Sequence, residues 1–65
     1  MELIINGTRE SGDFPTVLAL LEARGHAPAA VVVELNGAIV PAADFAGRAL
    51  AEGDTVEIVQ FVGGG

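Results

Sequence analysis

Two Asn-Gly dipeptides, Asn6-Gly7 and Asn36-Gly37, each lie between short aliphatic runs and restrict the fold more than any other feature of the chain. Asn-Gly is the strongest two-residue hairpin signal, because both central residues of a type I′ turn need positive φ and this pair tolerates it. Glu2-Leu3-Ile4-Ile5 is therefore predicted to turn back through Thr8-Arg9-Glu10-Ser11, a polar stretch suited to a sheet edge. Val31-Val32-Val33-Glu34-Leu35 likewise turns back through Ala38-Ile39-Val40.

Between the hairpins, Thr16 is placed to cap a helix running from Val17 to Arg24, with Gly25 to end it. Val17, Leu20 and Leu21 share one face at i, i+3, i+4 spacing, with Leu18 at the margin, so this helix covers one side of a sheet. His26 to Ala30 is expected to be a linker. After Pro41, Ala42-Ala43-Asp44-Phe45 forms a short turn with Phe45 closing the end of the core, and Gly53-Asp54 turns the chain into a last strand, Thr55 to Phe61. Two hairpins around one main helix, with the last strand returning beside the first, define an α+β fold: a ubiquitin-like β-grasp with a mixed sheet of about five strands.

Composition supports one small domain. Sixty-five residues approach the lower limit for a single unstapled core, and with no cysteine there are no disulfides, thiolate chemistry or cysteine-bound metals. Nine acidic residues against three arginines give a net charge of −6. Such a body repels phosphate backbones and anionic membranes and is drawn to basic protein surfaces, so neither nucleic acid nor membrane is an expected partner. With no basic leader and no apolar run long enough for a membrane span, a cytoplasmic location is expected.

Strand alternation separates two sheet faces. Leu3, Ile5, Val31, Val33, Leu35, Val56 and Ile58 form the inward set, while Glu2, Ile4, Val32, Glu34, Glu57, Val59 and Phe61 fall on the other face. Carboxylates mark that second face as wet, yet Ile4, Val32, Val59 and Phe61 are expected to lie exposed on it. An apolar patch rimmed by carboxylates is expected to dock a basic, partly apolar partner. This face leads along the last strand to Val62-Gly63-Gly64-Gly65, so residues 1–62 are assigned to the domain and 63–65 to a flexible tail. Three glycines fit a channel too narrow for side chains, and the only functional group expected at the tip is the Gly65 α-carboxylate, inert until activated by a partner.

In order along the chain, Asn36-Gly37-Ala38-Ile39-Val40-Pro41, Gly53-Asp54-Thr55-Val56-Glu57-Ile58-Val59 and Val62-Gly63-Gly64-Gly65 resemble the ThiS family, the sulfur carrier proteins of thiamine biosynthesis. Thr16-Val17 before the leucine-rich helix fits the same pattern. Ala42, where many members carry arginine, and Phe45, where tryptophan is common, depart from it at what would be a partner contact. The resemblance implies that an E1-like adenylyltransferase of the ThiF type uses ATP to convert the Gly65 carboxylate to an acyl adenylate, with Gly63 and Gly64 threading the tail into that enzyme. Sulfur from a cysteine desulfurase or another donor then gives a thiocarboxylate, which a ThiG-type thiazole synthase consumes. The carrier itself binds no cofactor and is no enzyme.

Three other readings remain open at this stage: the small subunit of molybdopterin synthase, a ubiquitin-like protein modifier, and a β-grasp interaction domain with an inert tail. The residues offer no catalytic constellation. His26 is the only histidine and lies beside the helix end, Asp13, Asp44, Glu52 and Asp54 lie beside turns where acids serve local hydrogen bonds, and no metal site is indicated.

Overall fold

Both Asn-Gly turns form with the backbone that their sequence demands. In the computed structural model, which describes residues 1–61, φ is 50° at Asn6 and 81° at Gly7, and 52° at Asn36 and 86° at Gly37. They join β1 (Glu2–Ile5) to β2 (Thr8–Ser11) and β3 (Val31–Leu35) to β4 (Ala38–Val40), each pair antiparallel. The last strand, β5 (Thr55–Gln60), lies parallel to β1 and antiparallel to β3, giving the sheet order β2-β1-β5-β3-β4. This is the mixed five-stranded β-grasp sheet.

The one α-helix among the described residues, α1 (Val17–Ala23), starts on Thr16, whose Oγ1 accepts the Ala19 N–H at 3.1 Å. Four N–H groups at a helix start have no partner inside the helix. Three of those groups are met from outside the helical ladder: Val17 N–H donates to the Arg48 carbonyl (3.0 Å), Leu18 to Phe45 (2.9 Å) and Ala19 to the Thr16 side chain, while Leu20 to the Thr16 carbonyl is the first bond of the helix itself. Leu50 N–H donates in turn to Pro15, and Thr16 bridges Ala49. The segment after β4 thus works as a cap for the helix, which its lack of periodicity concealed. It also buries Leu50, a core residue that the sequence pattern did not single out.

At its other end the helix closes in a Schellman turn. The C-cap is Arg24, one residue before the expected Gly25; Gly25 N–H donates to Glu22 and His26 N–H to Leu21. The Arg24 guanidinium reaches across to Glu10 on β2 at 2.9 Å. The expected linker at 26–30 contains a 3₁₀ turn, Pro28–Ala30, and a second one, Ala42–Asp44, precedes Phe45.

Every member of the predicted inward set is buried, together with Val17, Leu20, Leu21, Val40 and Phe45. The expected strand through Phe61 stops one residue short, yet Phe61 N–H still donates to the Ala30 carbonyl at 2.8 Å. The division between domain and tail at residue 62, and the glycines assigned to the tail, lie outside the described residues.

The asparagines have a second task that turn chemistry does not reveal. Asn6 Oδ1 accepts the Ile58 N–H at 2.7 Å, and Asn36 Oδ1 accepts the Thr55 N–H at 2.9 Å while its amide donates to Asp54. Each hairpin turn is thereby tied to β5. Asn6→Gly keeps a residue suited to positive φ but leaves the Ile58 N–H without its acceptor, so it should cost about 1–2 kcal/mol in urea unfolding. Unchanged stability would show that the side-chain bond contributes nothing beyond the turn.

Candidate docking face

The face opposite α1 is built row by row from the strand register, since residues directly opposite on paired strands share a face. Val32 on β3 lies opposite Val59 on β5, and Glu34 opposite Glu57. On β4, Ile39 lies opposite Glu34, and on the other flank Ile4 lies between Thr55 and Arg9. Along this face the strands carry an aliphatic row, a carboxylate row and then a mixed margin.

Exposure is uneven. Val59 is 57% and Phe61 59% exposed, whereas Ile4 and Val32, expected to be equally open, are half-buried. The reason lies in how far each neighbour extends. Ile4 has β2 on one side and β5 on the other, and Val32 sits on a strand flanked by β5 and β4. Beyond Val56, β5 has outrun β1 and pairs with β3 alone, so Val59 lacks a neighbour on one side. Ile39, 68% exposed, joins this face although the sequence did not place it there. A three-residue strand is too short for alternation to assign its faces; the pairing with Glu34 does so.

Of the two residues where the chain departs from the ThiS pattern, Phe45 is buried in the core and unavailable to a partner, while Ala42 is exposed. His26 is half-buried at the helix end, and its backbone N–H closes the Schellman turn. Among the described residues no group of three or more His, Cys, Asp or Glu side chains is placed to hold a metal. A recess lined by Glu2, Leu3, Ile4, Arg9, Glu52 and Gly53 encloses about 190 Å³, below the range of ordinary ligand pockets. Glu52 there accepts the Glu2 N–H with both carboxylate oxygens, a structural use of that carboxylate. The broad sheet face, with Phe61 held at its rim, is the feature that remains for recognition.

The ThiS family model matches residues 3–65. The chain belongs to the ThiS family. A crystal structure of the thiamine biosynthesis protein ThiS from Geobacter metallireducens superposes with a TM-score of 0.83 at 38% identity, covering all of both chains. A solution structure of a thiamine biosynthesis protein from the same organism gives 0.81, again at 38% identity, over all of this chain and 88% of that one. Two curated relatives are named thiazole synthase: that of Paramagnetospirillum magneticum is 46% identical and that of Magnetococcus marinus 38% identical, each over 66 aligned residues. This ThiS-family chain is covered in full in both matches but spans only 20% of their length. No helix among the described residues is long and apolar enough to cross a membrane.

Proposed function

We propose that this protein is a sulfur carrier of thiamine biosynthesis, acting as a co-substrate of partner enzymes and not as an enzyme itself. The observation that carries the reading is the ThiS family match, which runs from residue 3 through the terminal glycines to Gly65. An E1-like adenylyltransferase joins the Gly65 carboxylate to the AMP portion of ATP and releases pyrophosphate. Hydrosulfide then attacks the acyl carbon, the bond to AMP breaks and a thiocarboxylate remains; a persulfide carried by a cysteine desulfurase would attack the same carbon to give an acyl disulfide, from which a thiol reductant releases the thiocarboxylate. In this scheme ATP belongs to the partner's site, and the carrier holds sulfur at a carbonyl carbon, which is why it needs no cysteine.

The thiazole synthase names of the relatives support a thiazole synthase as the acceptor, since those longer chains include a region matching this whole domain. Val59 and Phe61 would contact the partners, with Ile4 and Val32 contributing their partly covered surfaces, because this face ends at Phe61, two residues before the proposed tail at 63–65. Incubating the protein with the adenylyltransferase, ATP and sulfide should raise its intact mass by the exchange of one oxygen for one sulfur, confined to the C-terminal peptide. An unchanged mass with active enzyme would refute the carrier role.

A further inference from the structure

The register puts two like charges directly opposite each other near the middle of the docking face. Glu34 and Glu57 are paired across β3 and β5, where Cα atoms of a hydrogen-bonded pair sit about 5.5 Å apart. Like charges so placed destabilise a sheet. Two other acids have an arginine beside them: Arg9 lies 3.6 Å from Glu2, and Arg24 2.9 Å from Glu10. Among the described residues neither Glu34 nor Glu57 takes part in an ion pair. Val32 and Val59 form the adjacent row, and Ile39 closes the lateral edge. Two residues of strand rise, about 6.7 Å, separate the valine row from the glutamate row. An extended arginine side chain, from its Cα to the guanidinium, is about that long, with its aliphatic stem able to lie over the valines.

Given the carrier role proposed above, we propose that Val32, Val59 and the Glu34–Glu57 pair form a receptor for one arginine on the docking surface of the thiazole synthase. Its stem lies over the two valines, and its guanidinium is shared by the two carboxylates. A planar fork of donors suits two carboxylates better than a compact ammonium does. Binding relieves the repulsion that the free domain carries, so the same pair that weakens the unbound fold strengthens the complex. The pair also sets register: four residues of strand, about 13 Å, separate Glu57 from Phe61. The docked arginine therefore fixes how far the tail root stands from the partner's site.

The test measures binding of the full chain to its cognate thiazole synthase at about 0.05 and 0.5 M salt, a range over which exposed charge interactions are progressively screened. The wild type should bind with an affinity that falls as salt rises. Glu34→Gln combined with Glu57→Gln should bind roughly tenfold more weakly at low salt, with a flatter salt dependence, yet melt at a higher temperature than the wild type. Val59→Asp should abolish binding while leaving the circular dichroism spectrum unchanged. If the wild type binds and the double glutamine variant binds equally well, or if that variant melts lower, the receptor assignment is overturned while the carrier role stands. A wild type that shows no affinity for the synthase overturns the assignment and, with it, this choice of acceptor.

Discussion

Deleting Gly65 should reduce adenylation at least a hundredfold while leaving the domain folded. The variant would still end in a glycine carboxylate, so its chemistry is preserved and only its reach changes, by about 3.5 Å. In-line attack on the α-phosphate of ATP is intolerant of such a change: a misplacement of about 1 Å can already cost on the order of a hundredfold in rate. Gly64→Val should fail for a related reason, since it introduces a branched side chain and a restricted backbone at a position proposed to thread a narrow channel. Among the described residues the last one in the core is Ile58, six residues before Gly64 in the sequence. ATP–pyrophosphate exchange with the adenylyltransferase reports the loss directly. A deletion variant activated at the wild-type rate would mean that the tail is incidental, and that the domain acts only as an interaction module.

Phe45→Ala should unfold most of the protein at room temperature. Phe45 is 2% exposed, belongs to the core cluster, and stands in the segment whose carbonyl groups cap α1. Truncating a buried phenylalanine costs about 3–5 kcal/mol. A core in a domain this small rarely supplies more than about 3–5 kcal/mol in total, so the loss is comparable to the whole stability. Phe45→Leu leaves less empty volume and should keep a cooperative urea transition at lower midpoint. If Phe45→Ala instead retains a native-like transition, the segment 41–50 must repack, and the cap it provides to the helix is less dependent on the ring than its burial implies.

The readable parts of the fold were those set by neighbours in sequence. The Asn-Gly turns, the Thr16 cap, the i, i+3, i+4 stripe of α1 and the two-residue alternation of β1, β3 and β5 all arise within a few residues, and each appeared where it was expected. The resemblance carried by the Asn36–Pro41, Gly53–Val59 and Val62–Gly65 segments named the family that the match over residues 3–65 identifies. The capping segment was opaque because its contributions are backbone carbonyls from Phe45 and Arg48, which any side chain can accompany. Leu50 is buried by that docking and not by any periodic pattern around it.

Local chemistry in the sequence by itself determined the hairpins, the helix, the strand and helix residues of the core other than Val40, and the charge of the wet face, because turn geometry and side-chain periodicity are properties of short stretches. The tertiary structure alone decided which residues of that face are open to a partner. Ile4 and Val32 lose surface to strands distant in sequence, Val59 keeps its exposure because β5 outruns β1, and Ile39 gains its place through pairing with Glu34. Only the register between β3 and β5 brings Glu34 opposite Glu57, and only the folded chain lets Asn6 reach Ile58. These are contacts between segments far apart along the chain, and their partners are chosen by which strands come to lie side by side.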